Sequence, residues 1–350
     1  MNLKKIFALL LAFCLLLTGC NPASPATKKT EKSVSFTDSS KRTVELPAKI
    51  TRVAASGQLA QIVLFAICPD MLVGLANEWT PKAKQYIGTK YYQLPVLGQF
   101  YGTGTLDPEA VAAADPQVII DIGESKSTIV EDMDGIQQQI GIPTIHIEAT
   151  TETMAAAYRT LGKLLGREEQ AEKLAVFCEE TLSTVNGILA NQPKTSLLYC
   201  LGDTGLNVIA QTSFHAEVID LVGNNLAVVA SPSFKGSGNQ VDLEQLLLWD
   251  PGVILFAPDS IYTTVGQDTA WQQLQAIASG NYYEVPHGPY NWLGDPPSAN
   301  IFMGMLWLTD LLYPEATNYD LYEKAAEYYQ LFYGCDLTQS QFDALTQFAK

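Results

Sequence analysis

The chain has 350 residues, with 37 acidic against 21 basic side chains and a formal charge of −16. So acidic a chain is a poor match for nucleic acid or anionic lipid, both of which are bound mainly through lysine and arginine. His146, His215 and His287 are the only histidines and stand far apart, which argues against a zinc centre built on paired imidazoles.

At the start, Lys4 and Lys5 precede an almost unbroken apolar run from Ile6 to Leu17, the layout of a signal peptide. The run of about 12 residues is well short of the ~20 that cross a hydrocarbon core. Small residues then lead to one cysteine in Leu17-Thr18-Gly19-Cys20. This resembles the lipobox of bacterial lipoproteins. The resemblance implies residues 1–19 as signal peptide and Cys20 as a diacylated lipid attachment on the outer side of the cell membrane. An ordinary secretory leader with an incidental Cys20 is the other reading. Acyl chains would hold the protein firmly, each buried methylene contributing roughly 0.8 kcal/mol. Residues 20–44 are read as anchor and flexible tether, since Asn21 to Ser33 is rich in Pro, Ser, Thr and Lys without apolar periodicity.

About 315 residues follow the tether, enough for two domains with substantial cores. Of the cysteines beyond Cys20, Cys68, Cys178, Cys200 and Cys335 form no C-x-x-C pair. A disulfide is permitted outside the cytoplasm but not required, and buried free thiols are an equal alternative.

Apolar β-branched runs predict strands at Thr51 to Ala55, Leu72 to Gly74 and Thr144 to Ile147, and a further one at Ser196 to Leu201. Gln58 to Ile67 reads as a helix with Ile62, Phe65 and Ala66 on one face.

An internal repeat organises the body. Leu106-Asp107-Pro108-Glu109-Ala110-Val111 leads through Asp115-Pro116 to Val118-Ile119-Ile120. Val241-Asp242-Leu243-Glu244-Gln245-Leu246 leads through Asp250-Pro251 to Val253-Ile254-Leu255. The matched pairs share one offset, 135 residues, and six of them are identical. Self-similarity on this scale implies two lobes of like construction. In each copy the aspartate is placed to cap a short helix, and the glutamate sits in the first turn, where the macrodipole favours negative charge. The helix ends before Asp-Pro, and the apolar run after it is a strand buried on both faces. Helix followed by buried strand is the unit of a parallel sheet.

Between the copies, Thr153 to Leu165 and Glu168 to Leu189 read as helices interrupted at Gly166. In the second, Ala171, Leu174, Cys178, Leu182, Val185 and Leu189 form one apolar stripe. Its length of about 33 Å is that of a small domain, which predicts a rigid link and limited lobe movement. The expected organisation is an α/β fold with an N-terminal lobe over 45–165, a linking backbone helix over 166–192 and a C-terminal lobe over 193–350. Both lobes are expected to be Rossmann-like with central, mostly parallel sheets and a ligand cleft between them.

The chain resembles the helical-backbone substrate-binding proteins of ABC importers for iron–siderophore complexes, haem and cobalamin. The residues that carry the likeness are Arg52-Val53-Ala54-Ala55-Ser56, Leu72-Val73-Gly74-Leu75, Leu94-Pro95-Val96-Leu97-Gly98, the two acidic repeats, and Pro296-Pro297-Ser298 through Trp307-Leu308 to Leu312-Tyr313-Pro314. The resemblance implies a monomer that hands its cargo to a permease dimer with its ATPase. It also implies that one exposed glutamate per lobe, here Glu109 and Glu244, docks into permease arginines. Paired carboxylates on a rigid frame suit a two-fold partner, and arginine–carboxylate contacts can be bidentate. Both glutamates also simply favour their helix N-termini.

Ligands of open α/β lobes bind at the carboxyl ends of the strands. That rule selects Ser56, Gly57 and Gln58, Glu78 and Trp79, then Gln99, Phe100 and Tyr101, then Gly123, Glu124 and Ser125 in the first lobe. In the second it selects Asp203 and Thr204, Lys235, Tyr262, and His287, Tyr290 and Trp292. Aromatic walls with few charges suit a planar or macrocyclic metal chelate, with an iron–siderophore first and cobalamin or haem next. An oxyanion such as molybdate or tungstate is a further alternative. No converging set of metal-coordinating side chains is visible, and no catalytic cofactor is expected. No G-x-S-x-G, H-E-x-x-H or Walker-type motif occurs, so the chain is read as a receptor and not as an extracytoplasmic enzyme. The aromatic patch Tyr328, Tyr329, Phe332 and Tyr333 is expected to pack against the second lobe.

Overall fold

The computed structural model describes residues 32–100, 105–258 and 260–350; the signal peptide, Cys20 and Tyr101 lie outside the described residues. Strands β1 (Ser33–Thr37) and β2 (Thr43–Pro47) pair with each other. The expectation of a flexible tether reaching residue 44 is therefore corrected from residue 33 onward. The reason is an alternation too short to stand out: Val44 and Leu46 are buried while Thr43 and Glu45 are exposed. Asp38, in the turn, accepts hydrogen bonds from Arg42 Nη1 at 3.1 Å and from the backbone N–H of His146 at 3.2 Å, which ties the hairpin to the first lobe.

The first lobe contains β3 (Val53–Ala55), α1 (Gln58–Ile67), α2 (Pro108–Ala114), β4 (Val118–Gly123), α3 (Ile129–Ile140) and β5 (Thr144–Glu148). Its sheet runs β3-β4-β5, all parallel. The strand expected at Leu72 to Gly74 is reduced to a bridge from Leu72 to Val53, extended by one from Leu75 to Val96. α4 (Met154–Leu165) and α5 (Glu168–Leu189) then carry the chain from the first sheet to the second. Gly166 ends α4 in the left-handed conformation at φ 65°, which glycine adopts without a Cβ clash. Gly162 lets the two helices close on each other, because a Cβ there would stand 2.5 Å from the Cβ of Ala171. Arg159 of α4 reaches Glu172 and Glu179 of α5 at 2.8 and 2.5 Å.

The second lobe contains β6 (Ser196–Leu201), β7 (Asn207–Val208), α6 (Glu217–Val222), β8 (Asn224–Asn225), β9 (Asn239–Gln240), α7 (Leu243–Trp249), β10 (Val253–Phe256) and β11 (Tyr282–Glu284). Its sheet runs β11-β10-β6-β7-β9 with β8 also on β6, parallel except where β7 pairs.

The repeat is visible as geometry. Asp107 caps α2 by accepting from the N–H groups of Glu109 and Ala110 at 3.0 and 2.9 Å, and Asp242 caps α7 by accepting from Gln245 at 2.8 Å. Each helix ends on an aspartate in the left-handed region, Asp115 at φ 48° and Asp250 at φ 40°. Each aspartate precedes a proline and then a buried strand, β4 or β10.

α8 (Asn300–Leu312), α9 (Leu321–Tyr333) and α10 (Gln339–Leu345) complete the chain. The expectation that the α9 aromatics pack against the second lobe holds in part, since Tyr329 OH donates to the Gly288 carbonyl, but their ring contacts extend to the first lobe and the linking helices. Tyr333 lies 6.3 Å from Phe65 of α1, Tyr329 5.0 Å from Tyr86, and Phe332 5.5 Å from Phe177 of α5 and 6.1 Å from Tyr158 of α4. The last part of the chain thus returns across the linking helix to the first lobe, where α1 presents apolar side chains on nearly its whole circumference. A single apolar cluster runs from Val53 and Phe65 through α5 to Leu197, Trp292 and Phe302. Cys68, Cys178 and Cys200 are buried free thiols, and Cys335 is a half-buried one. Burial pushes the Cys200 thiol up to about 12, so it is neutral and unreactive at ordinary pH.

Candidate functional site

A cavity of about 730 Å³ opens where the carboxyl ends of β4 and β5 face the start of α6. Such a volume is in the range of small-molecule sites. The first lobe contributes Leu59 from α1, Gly123 and Glu124 after β4, and Thr150, Thr151 and Glu152 after β5. The linking helix contributes Leu182 and Asn186. From the second lobe come Thr212, Ser213, Glu217 and Asp220, the ring of Phe234, and Pro297, Ser298 and Ile301 from the Pro-Pro-Ser segment.

Several of these groups join the lobes. Thr151 Oγ1 donates to Glu217 Oε1, from the end of β5 to the first residue of α6. Ser298 Oγ donates to the Leu59 carbonyl at 3.2 Å. Asn300 Nδ2 donates to the Asn291 carbonyl and, at 3.0 Å, to that of Pro296, which fixes the segment entering α8.

The electrostatics are one-sided. Glu124, Glu152, Glu217 and Asp220 line the cavity, and among the described residues that line it there is no lysine, arginine or histidine. Lys126 and Lys235, near lining residues in sequence, are exposed. Asp220 is held by the Thr212 N–H at 2.8 Å and Asn225 Nδ2 at 2.9 Å, so it supports the wall. Burial raises the Glu217 carboxyl above its usual range; the Thr151 hydroxyl opposes this, while Glu152 and Glu124 add to it by repulsion. Ser213 is 5% exposed, and its Oγ is buried without a hydrogen-bond partner. Phe234 is 75% exposed.

The residues selected from the sequence are dispersed. Ser56, Trp79, Phe100, Tyr290 and Trp292 are buried in the core instead of on the wall of this cavity. Trp79 stacks edge-on against Phe65 at 5.1 Å, and Tyr290 OH accepts from Gln61 Nε2 at 3.2 Å. Gln58 starts α1 and is half-buried, as is Gln99, whose backbone N–H donates to Thr105 Oγ1. Asp203 and Thr204 edge a separate depression on the second lobe. Tyr262 packs on Phe348 at 5.0 Å, and His287 is half-buried beside cis-Pro289. Lys235 is exposed next to Phe234. Glu109 and Glu244 are exposed in the first turns of α2 and α7. Of the groups selected, Gly123 and Glu124 reach the cavity wall.

Ser125 belongs to a polar chain behind the wall. Its Oγ lies 3.0 Å from His146 Nε2, His146 Nδ1 lies 2.7 Å from Asp121 Oδ2, and Asp121 Oδ1 accepts from Ser56 Oγ at 2.6 Å. The order is that of a serine–histidine–aspartate array, but the imidazole is fully buried. A leaving group cannot reach it to be protonated. The chain of bonds instead fixes the loop that carries Glu124.

Sequence reading missed Thr151, Glu152, Asn186, Ser213, Glu217 and Phe234. The rule of strand carboxyl ends, extended to β5, reaches Thr151 and Glu152. Asn186 and Glu217 stand on helices, where nothing local marks them. Among the described residues no cluster of three or more His, Cys, Asp or Glu side chains is close enough to hold a metal ion, and no helix is long and apolar enough to cross a membrane.

The family model described as periplasmic binding protein matches residues 70–288. An ABC transporter solute-binding protein of Sulfurospirillum deleyianum is similar at a TM-score of 0.82 and 29% identity, covering 89% of this chain and 99% of that one. A periplasmic solute-binding protein of Veillonella parvula is similar at 0.74 and 23%, covering 91% and 98%. A periplasmic molybdate-binding protein of Haemophilus influenzae is similar in fold at 0.70 and 18%, covering 87% and 99%. No curated protein matches the chain in sequence.

Proposed function

Because the chain belongs to the periplasmic binding protein family, we propose that it captures a metal chelate of the iron–siderophore kind in the interlobe cavity and hands it to an ABC import permease. At the coarser level it is an ABC-type solute-binding protein working outside the cytoplasm. The observation that carries the finer reading is the 730 Å³ cavity at the carboxyl ends of β4 and β5. It is far larger than a bare ion needs, and its wall lacks a cluster of metal ligands among the described residues. A metal would therefore arrive inside a chelate and not as a free ion.

Delivery is assigned to Glu109 and Glu244, the matched exposed carboxylates of the two lobes, each meeting a permease arginine. Cys20 is assigned as the lipid attachment that keeps the receptor at the membrane. The protein is taken to act as a monomer without a catalytic cofactor.

Native mass spectrometry of protein purified without refolding tests the reading. An adduct carrying iron in an organic chelate supports it. A corrinoid or haem would replace the ligand, and a molybdate or tungstate adduct would turn the reading toward oxyanion binding of the kind known for the Haemophilus molybdate-binding protein. Absence of saturable binding to any small solute would overturn it.

A further inference from the structure

The cavity carries more than a size. Glu124, Glu152 and Glu217 line the same recess without a compensating cation among the described wall residues, and the Glu217 carboxyl is raised first by burial and then by repulsion from Glu152 and Glu124. Like charges gathered in a recess are unfavourable while the recess is empty, and the strain is relieved by whatever positive charge enters. An acidic cluster alone would say little. A second observation points to a ligand: Ser213 is 5% exposed, lines the same cavity and leaves its Oγ without a partner. A buried hydroxyl without a partner is unfavourable, and this one belongs to a residue of the recess wall. A third is the Phe234 ring, 75% exposed on the cavity rim, where an aromatic face can cover a cation.

Resting on the receptor reading above, we propose that this cavity selects a ligand bearing positive charge, an ammonium-bearing chelate or organic cation, and discriminates against anionic chelates and oxyanions. Glu152 and Glu217 meet the charge from opposite lobes, Glu124 adds to the field, Ser213 Oγ takes a hydrogen bond from the ligand or gives one to it, and Phe234 covers the opening. A ligand held between Glu152 and Glu217 also bridges β5 and α6, so charge recognition and lobe contact are one event.

Titration calorimetry with a matched pair tests this. Ferrioxamine B, a ferric trihydroxamate with a free ammonium, and its N-acetyl derivative differ in that charge; spermidine, ferric enterobactin and molybdate complete the set. Ferrioxamine B is expected to bind about tenfold or more tightly than the acetylated form, as charge-assisted contacts require. The preference should shrink in Glu152→Gln and Glu217→Gln, and in Glu124→Gln, whose exposed side chain separates loss of charge from loss of fold. Added salt should weaken the charged ligand more than the neutral one. Equal binding of the pair, or tighter binding of ferric enterobactin or molybdate, overturns the charge inference while leaving the receptor reading intact. Binding of spermidine without any chelate upholds the inference and overturns the chelate. Binding of nothing in the set overturns both.

Discussion

Thr151 and Glu217 are joined across the cleft: the hydroxyl after β5 donates to the carboxylate that begins α6. The bond ties two lobes whose other direct ties include Ser298 to Leu59 and Tyr290 to Gln61. It also holds an acidic group in a half-buried place where water solvates it poorly.

Removing the donor alone, in Thr151→Val, should leave that carboxylate without its closest partner. A loss of about 1–3 kcal/mol is expected, read as a lower urea midpoint with an unchanged slope.

The pH dependence of Glu217→Gln follows from the raised carboxyl. A carboxyl that holds its proton more tightly folded than unfolded contributes stability below the unfolded value of about 4.3, and this is lost as pH rises through the folded value. At pH 7 the wild type carries an unfavourable ionised group that the glutamine lacks. Glu217→Gln should therefore melt higher than wild type at pH 7, with the gap closing as pH falls toward 4. Differential scanning calorimetry at both pH values checks this, and a gap that widens on acidification would contradict it.

Asp107→Ala and Asp242→Ala each remove a helix cap and should cost about 1 kcal/mol. Being in different lobes, their effects should add in the double variant, as measured by chemical denaturation.

Charge reversal in Glu109→Lys or Glu244→Lys should abolish transport in reconstituted vesicles while calorimetric ligand affinity is unchanged. Survival of transport in the double reversal would remove both glutamates from the docking surface.

Phe332→Ala opens a hole where α9 meets α4 and α5, since the ring lies 4.5 Å from Tyr328 and 5.5 Å from Phe177. A loss of about 3–5 kcal/mol is expected. Ligand affinity should change little in the fraction that remains folded, because the seam is not part of the cavity wall.

Local chemistry made much of the fold legible. Asp107 and Asp242 announced their helices, Gly166 announced the break between α4 and α5, and the buried strands at Val118 and Val253 were plain from composition. The site was less legible. Aromatic side chains after strands suggested a ligand wall at Trp79, Phe100, Tyr290 and Trp292, yet burial of large rings stabilises the fold strongly enough that these became core. Tyr328 to Tyr333 showed that an apolar stripe identifies a buried face without identifying what covers it.

The sequence by itself determined the two-lobed α/β plan, the linking helix and the family resemblance, because caps, proline boundaries and apolar periodicity act over a few residues. Only the tertiary structure decided the cavity. Glu124, Thr151, Asn186, Ser213, Glu217 and Ser298 come from five separate segments, Ser213 and Glu217 sharing one, and their meeting depends on how two sheets, one helix and a returning C-terminal segment pack. No short-range preference encodes such a meeting. The charge of the recess is likewise a property of the assembled wall, since carboxylates scattered over an acidic chain acquire a common effect only when packing gathers them away from solvent.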